Sequence, residues 1–192
     1  MQVPGIPKNE TERIKVLHDL LILDTAPEDR FDNITAYCAS RFKVEIALVS
    51  LVDVDRQWFK SSCGLTAKET PRDISFCGHA ILHGDALVVK DALQDPRFSD
   101  NPLVVGPPFV RFYAGAPLKH SSGHNLGTLC LISSQPKSLE PEELEHLKVL
   151  SHMVSMELEN QGRIDNCKAN CLYGHLPTQC PYEQTKFELP DY

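Results

Sequence analysis

The sequence predicts an α+β domain whose sheet is mainly antiparallel. Three features of the 192-residue chain lead to this prediction. Helical periodicity is concentrated at the two ends of the chain, short apolar strands lie between them, and polar hairpin loops join most of the strands. Helices that gather around a set of hairpin-linked strands are typical of α+β domains, whereas regular alternation of strand and helix would indicate a parallel sheet.

Capping signals indicate where the longer helices begin. Asn9 with Glu12 forms a candidate capping box ahead of the first helix, and Thr25 with Glu28 forms another ahead of the second. The last helix is expected to begin at Pro141, where an acidic first turn suits the positive end of the helix dipole. Apolar residues follow each signal at helical spacing, which predicts a buried stripe on every one of these helices.

The predicted strands lie between the second and the last helix. Residues 46–52 are continuously apolar, so we expect a central strand that is covered on both faces. Residues 57–61 return as its hairpin partner, and Ser75 is the expected cap of a short helix. Further strands are predicted at residues 86–89, 111–118 and 126–132.

Two local features of this region point to close approach or to binding. Residues 91–110 contain four prolines and predict a long loop, and loops of this length in compact domains are usually binding loops or lids. Gly115 and Gly127 lie inside predicted strands, where glycine usually indicates a bulge or a close backbone approach.

Charge and hydropathy exclude several classes of partner. The net charge is −7 and the pI is about 5.6, so the surface should repel phosphate backbones, and we expect no nucleic-acid partner. The longest apolar run is far shorter than the roughly 20 residues of a membrane span, and the first residues do not resemble a signal peptide. A cytoplasmic protein with mostly free thiols and no membrane partner is therefore expected.

Four stretches of the chain carry a resemblance to a known family. They are residues 12–17 with 23–28, residues 46–53 with 56–60, residues 71–81, and residues 95–98 followed by 111–118 and 127–132. Taken in order, they resemble the GAF domains that bacteria place ahead of histidine kinases and diguanylate cyclases. The resemblance covers roughly residues 10–160.

The resemblance implies both an architecture and a role. It implies a GAF-like central antiparallel sheet of about six strands with helices on both faces, and a ligand pocket under the long loop on one face. The first and last helices would pack together on the other face and pair across a homodimer. The implied function is a regulatory small-molecule-sensing and dimerisation domain in signal transduction, phosphorelays included, without catalytic activity of its own.

The domain organisation follows from the same reasoning. Residues 1–8 are expected to form a flexible leader, residues 9–162 the GAF domain, and residues 163–192 a poorly ordered, cysteine-containing extension. We expect no kinase, cyclase or DNA-binding segment after the last predicted helix. We therefore expect a signalling output protein that acts in trans, or a domain that has been separated from its output.

The candidate ligand-binding residues combine aromatic surface with a few polar groups, as small-molecule sites usually do. They are Trp58, Arg72, Asp73, Phe76, Cys77, His79, Phe98, Arg111, Phe112 and Tyr113. A structural interpretation stays open beside this one. In it Trp58 and Phe112 belong to the core, Arg72 and Asp73 form a local ion pair, and Arg111 stabilises the loop. The pocket would then be vestigial and the domain a protein-interaction scaffold. The ligand itself is unknown, and the signature of cyclic-nucleotide-binding GAF domains is not visible.

Cys77 and His79 suggest two further chemistries. In bilin-binding GAF relatives the chromophore cysteine is followed directly by histidine, whereas Gly78 intervenes here, so no bilin is expected. Phe76-Cys77-Gly78 resembles a segment of the free methionine-R-sulfoxide reductases, which are also GAF-like. The attacking thiol of that family lies in a loop that corresponds to residues 91–110, and this loop contains no cysteine. A buried, inert Cys77 is therefore favoured over a thiol enzyme.

The C-terminal region suggests a metal site. Cys167, Cys171, His175 and Cys180 are three thiols and one imidazole within fourteen residues, and Cys₃His is an accepted structural zinc set. The spacing does not match the paired two-residue knuckles of the usual zinc sites. A redox pair and a poorly ordered extension remain alternatives.

Overall fold

The computed structural model describes the backbone of residues 1–172 and the side chains of residues 1–160. Its strands are β1 Ile46–Val52, β2 Arg56–Cys63, β3 Glu69–Pro71, β4 Leu87–Val89, β5 Phe112–Lys119 and β6 Asn125–Ser133. Its α-helices are α1 Glu10–Asp19, α2 Asp29–Phe42, α3 Phe76–Ala80, α4 Pro102–Val105 and α5 Pro141–Leu172. A single 3₁₀ turn, Arg72–Ile74, connects β3 to α3 within this part of the chain.

The six strands form one sheet in the order β3-β2-β1-β6-β5-β4, and every neighbouring pair is antiparallel. The predicted α+β class and the sheet of about six antiparallel strands are confirmed. All seven residues of the central strand β1 are buried. Burial from both faces explains why this segment is apolar at every position except Ser50 rather than alternating.

Two hydrophobic clusters cover the two faces of the sheet, as the resemblance implies. Val49 and Leu51 of β1 belong to the cluster that includes residues of α1, α2 and α5. Leu48 and Val52 belong to the opposite cluster, which includes residues of α3 and α4. The short helices therefore lie on one face and the long helices on the other.

Only one of the three predicted helix caps is present. Ser75 Oγ accepts a hydrogen bond from Gly78 N at 2.9 Å and caps α3 as expected. Neither Asn9 nor Glu28, the two residues that precede α1 and α2, makes a side-chain cap, so both predicted capping boxes are wrong. Thr25 is used elsewhere, because its hydroxyl donates to Ile22 O at 2.7 Å and accepts from the buried Lys60 ammonium at 2.7 Å.

The helix that lies alongside α5 is α2 rather than the first helix. Arg30 of α2 contacts Glu157 of α5 at 3.0 Å, and Arg41 contacts Glu143 at 3.6 Å. Helix α1 instead contacts β6 and the end of β1, where Arg13 donates to Val52 O at 2.7 Å. Among the described residues, no helix combines the length and the apolar character that crossing a bilayer requires.

The structure describes residues 1–8 and the backbone of part of the expected C-terminal extension. Residues 1–8 contain no helix or strand, yet Gln2 N donates to Arg97 O at 2.9 Å, so this segment lies against the long loop. Helix α5 runs through the expected boundary at residue 162 and includes the backbone of Cys167 and Cys171. The side chains of these two cysteines, like His175 and Cys180, lie outside the described residues, so the zinc expectation stays a prediction.

Candidate ligand pocket

A cavity of about 170 Å³ lies between the sheet and the segment that contains α4. The sheet forms its floor with Ile46, Leu48, Phe59, Tyr113 and Ile132. Helix α3 forms one wall with Phe76 and Cys77. The residues after β2 contribute Leu65 and Ala67. The long loop covers the cavity with Leu103, Pro107, Pro108 and Val110. The cavity thus lies beneath the proline-rich loop, where a ligand pocket is expected from the sequence.

The polar edge of the cavity consists of Gln57 and Thr70. Gln57 Nε2 donates to Thr70 Oγ1 at 2.6 Å, and Ser50 Oγ lies 3.5 Å from Gln57 Oε1. These hydrogen bonds hold the Gln57 amide in place at the edge of the cavity. Of the described residues that line it, none carries a charge.

Aromatic rings support the α3 wall from behind. The Phe76 ring stacks on Phe98 with centroids 4.0 Å apart and lies 5.1 Å from the Tyr113 ring. The His79 ring meets the edge of Phe98 at 4.9 Å, and its Nε2 donates to Gln2 O at 3.0 Å. Burial lowers the pKa of His79, so the neutral imidazole is favoured in this position. This stack fixes the orientation of Phe76 and Cys77 toward the cavity.

Tyr113 crosses the floor of the cavity because glycine lies two residues further along the same strand face. A Cβ on Gly115 would lie 2.1 Å from Tyr113 Oη, so only glycine leaves room for the ring. The hydroxyl donates to Cys77 Sγ at 3.5 Å and lies 3.5 Å from Thr128 Oγ1. A close approach was expected at Gly115, and the group that approaches it is the Tyr113 side chain rather than a neighbouring backbone.

The ten predicted site residues fall into separate groups. Phe76, Cys77 and Tyr113 line the cavity, while His79 and Phe98 support its wall. Trp58 and Phe112 belong to the opposite hydrophobic cluster and do not line this cavity. Successive side chains of a strand point to opposite faces, and the neighbours Phe59 and Tyr113 reach the cavity instead.

The three charged candidates do not reach the cavity either. Arg72 is buried and pairs with Glu10 at 2.5 Å, while Asp73 is exposed. Arg111 donates to the carbonyls of Val104 and Val110 at 2.9 and 3.0 Å. Arg111 therefore stabilises the loop, as the structural interpretation supposed.

The residues that sequence reasoning missed are mostly aliphatic. Ile46 and Ile132 pair across β1 and β6, and Leu48 lies two residues further along the same face. No signal separates such residues from ordinary core residues, because both faces of this sheet are covered and an aliphatic strand residue is buried on either face.

A second, more polar cleft of about 380 Å³ lies between β2 and the start of α2, and Phe59, Leu65 and Ala67 line both this cleft and the cavity. Trp58 and the buried Lys60 line it. The Lys60 ammonium donates to Thr25 Oγ1 and Ala26 O, both at 2.7 Å, and pairs with Glu28 at 2.5 Å. Its hydrogen bonds are thus supplied by the protein itself, which makes this cleft a weaker ligand site than the apolar cavity.

The described part of the chain contains no group of three or more histidine, cysteine or acidic side chains that could hold a metal ion. The same part of the chain contains buried cysteine thiols. Cys77 Sγ lies 3.9 Å from Cys130 Sγ, and the Cys38 thiol is buried on the other face, where desolvation raises its pKa to about 12.

Comparison with known proteins identifies relatives of the domain. A cyclic di-GMP phosphodiesterase from Pseudomonas aeruginosa is 45% identical over 183 residues, which are 93% of this chain and 31% of that protein. The chain thus spans about a third of the length of this relative.

Solved structures share the fold at low identity. The GAF domain of an Acinetobacter phosphoenolpyruvate-protein phosphotransferase superposes with a TM-score of 0.59 at 17% identity, covering 81% of this chain and 98% of that one. The free methionine-R-sulfoxide reductase from Neisseria meningitidis superposes with a TM-score of 0.58 at 18% identity, covering 86% and 99%. A family model for the GAF domain matches residues 26–158. The chain therefore belongs to the GAF domain family, a fold of signalling sensors.

Proposed function

We propose that this GAF domain is a regulatory domain that binds a small, uncharged and mainly apolar molecule in the cavity beneath the long loop. The observation that carries the proposal is the cavity itself, which is lined almost wholly by apolar side chains. An apolar lining with a few polar groups at its edge is typical of small-molecule sites.

The size and lining of the cavity narrow the class of ligand. Its volume of about 170 Å³ is close to that of an engineered apolar cavity of about 150 Å³ that binds benzene, and is below the usual lower limit of about 300 Å³ for drug-sized ligands. A phosphate would lose its hydration here, since no lining residue of the described chain supplies a compensating cation. A compact neutral molecule therefore suits this cavity better than a nucleotide.

A chain of contacts connects the cavity to the first helix, so that a bound ligand could affect the position of α1. Phe76 and Cys77 form the α3 wall, and the 3₁₀ turn that precedes Ser75 carries Arg72. Arg72 pairs with Glu10 in α1. A ligand that displaces α3 would thus also shift the ion pair that holds α1 against the sheet.

The long last helix supplies the proposed dimer interface. Val149, Met153 and Met156 are 58%, 50% and 54% exposed. Their spacings of four and three residues form a single stripe, which is the pattern of a coiled-coil seam. The opposite side of α5 buries Leu150, Val154 and Leu158 in the core. We propose that the exposed stripe pairs with the same stripe of a second copy.

The proposed output is regulation of another activity rather than catalysis within this domain. The relative named a cyclic di-GMP phosphodiesterase is 45% identical over nearly the whole chain, which favours an output in cyclic di-GMP signalling, either in trans or in a further part of a longer protein. Incubation of the purified chain with cyclic di-GMP, and with free methionine sulfoxide, should therefore give no product. Turnover of the sulfoxide would instead favour the thiol-enzyme alternative.

The ligand is best sought by mass spectrometry of molecules that co-purify with the protein. Ile132→Trp would fill the cavity with a larger side chain, and Ile132→Leu is the matched control of nearly equal volume. We expect an apolar compound in extracts of the parent protein and of the leucine variant, and its depletion from the tryptophan variant. At about 100 times its dissociation constant the compound should add about 2.7 kcal/mol to the free energy of unfolding. Extracts that do not differ between the parent and Ile132→Trp would contradict the proposal.

A further inference from the structure

Two cysteines that are far apart in sequence face each other behind the cavity wall. Cys77 lies in α3 and Cys130 in the middle of β6, and their sulfur atoms are 3.9 Å apart. Both side chains are buried. The sheet fixes one sulfur and the capped helix fixes the other, so the contact is determined by the fold rather than by an exposed loop.

The surroundings of Cys77 favour its deprotonated form. The hydrogen bond with Cys130 lowers the pKa of Cys77 although burial opposes this, and hydroxyl groups of Thr128 and Tyr113 add to the lowering. The same contact with Cys77, together with burial, raises the pKa of Cys130. Of the two sulfur atoms, Cys77 is thus the one whose deprotonation to the nucleophilic form its neighbours favour.

A small oxidant can reach Cys77 through the cavity, whereas the buried Cys38 has no such access. Cys77 lines the cavity of about 170 Å³ beneath the long loop, which is large enough for hydrogen peroxide. A peptide disulfide such as oxidised glutathione is larger than the benzene-sized molecules that such cavities hold. Cys38 lies in the core on the opposite face and lines neither the cavity nor the polar cleft.

We propose that Cys77 and Cys130 form a redox-active dithiol that hydrogen peroxide, entering through the cavity, converts to a disulfide. Cys77 gives up its proton, its sulfur attacks one peroxide oxygen, an S–O bond forms and the O–O bond breaks, and the hydroxide that leaves takes up the released proton to become water. Cys130 sulfur then attacks the sulfenic acid, the S–S bond forms, and the sulfenic oxygen leaves as water with the Cys130 proton. Two thiols and one peroxide thus give one disulfide and two waters.

The disulfide would change the cavity wall. A disulfide bond is about 2.05 Å long, so the two sulfur atoms must approach by roughly 2 Å from their present separation of 3.9 Å. Because β6 is paired on both sides within the sheet, α3 is the element expected to move. The oxidation itself does not depend on the identity of any ligand, so it can be tested independently of the sensing function.

Peroxide treatment followed by mass spectrometry tests the proposal. The parent protein is exposed to hydrogen peroxide, quenched in acid, denatured with an alkylating agent and digested. We expect a linked pair of peptides that contain Cys77 and Cys130, lost on reduction with dithiothreitol. Cys38→Ser should retain this link, whereas Cys130→Ser should lack it and should leave a sulfenic acid at Cys77 that dimedone traps.

The parent protein alone decides the outcome if a variant does not fold. Cys77 that remains fully alkylated after peroxide treatment would overturn the proposal, provided that the partly exposed Cys63 in the same sample is oxidised. Conversion of Cys77 to sulfinic acid without any link to Cys130 would overturn it as well.

Discussion

Nη1 of Arg72 lies 2.5 Å from Oε1 of Glu10, and this ion pair joins the turn before α3 to the first turn of α1. Glu10 also accepts hydrogen bonds from Arg13 Nε and Nη2 at 2.7 and 2.8 Å. One partly buried carboxylate thus accepts hydrogen bonds from two buried guanidinium groups. Nε and Nη2 of Arg72 have no hydrogen-bond partner among the described residues, so this arginine is held through Nη1, which bonds Glu10 and also Asp53 O at 2.8 Å.

Replacement of this carboxylate should destabilise the domain. We expect Glu10→Gln to lower the free energy of unfolding by about 2 kcal/mol, because hydrogen bonds to charged groups contribute about 1.5–3 kcal/mol and two buried arginines would lose their counter-charge. Urea denaturation measures the difference. Glu12→Gln is the matched control, since Glu12 is an exposed glutamate on the same helix, and it should change stability by less than about 0.5 kcal/mol. Equal effects of the two variants would contradict this account.

The same carboxylate should make stability depend on pH. Burial alone would raise the pKa of Glu10, but the hydrogen bonds from Arg13 and Arg72 outweigh burial and hold it below the usual value of 4.5. A lowered folded-state pKa gives stability that is present above the unfolded-state value and is lost as pH falls through the folded-state value. We expect the stability gap between the parent and Glu10→Gln to narrow on acidification below about pH 4.5. Urea titrations at several pH values test this, and a gap that stays constant down to about pH 3 would argue against it.

Gly127 should be intolerant of any side chain. A Cβ at this position would lie 1.9 Å from Ser50 O and 2.8 Å from Leu51 Cα, and both atoms belong to the backbone of the central strand. Backbone cannot yield without breaking the pairing of β1 with β6, so we expect Gly127→Ala to cost about 3 kcal/mol. Gly84→Ala is the control, because no atom lies within 4 Å of its added Cβ. A comparable loss of stability in both variants would show that close approach is not the reason.

A charge in the exposed stripe of α5 should disrupt the proposed dimer. The chain has a mass of 21.5 kDa, so sedimentation at tens of micromolar should give about twice that mass for the parent. Met153→Glu should shift the protein to the monomer, because two glutamates would face each other in an apolar seam. Leu93→Glu, at a residue that is 43% exposed in the long loop, should remain dimeric. A monomeric parent protein would refute the dimer.

The fold was largely predictable because local patterns determined most of its elements. The continuous apolar segment of β1, the hairpin loops and the cap at Ser75 each have a local physical signal. The strand β3 and the helix α4 were missed, since each is only three or four residues long and lies in a polar or proline-rich segment. Elements this short depend on tertiary contacts rather than on their own periodicity.

The site was less predictable than the fold for a reason that two pairs of neighbours illustrate. Trp58 and Phe59, like Phe112 and Tyr113, are adjacent aromatic residues, and only the second of each pair lines the cavity. In a sheet that is covered on both faces, either orientation buries a ring, so polarity gives no signal of which residue faces the pocket. The contact between Cys77 and Cys130 depends in the same way on a pairing that the sequence does not reveal.

A methyl-resolved NMR titration with benzene tests most directly whether the cavity beneath the long loop accepts an apolar molecule. We expect saturable shifts at the methyl groups of Ile46, Leu48 and Leu65, which line the cavity, in the parent protein and in Ile132→Leu. These shifts should disappear in Ile132→Trp, while methyl groups on the opposite face, such as those of Leu147, should not respond in any variant. Shifts that are absent from the lining residues of the parent, or that persist unchanged in Ile132→Trp, would contradict the proposed ligand pocket.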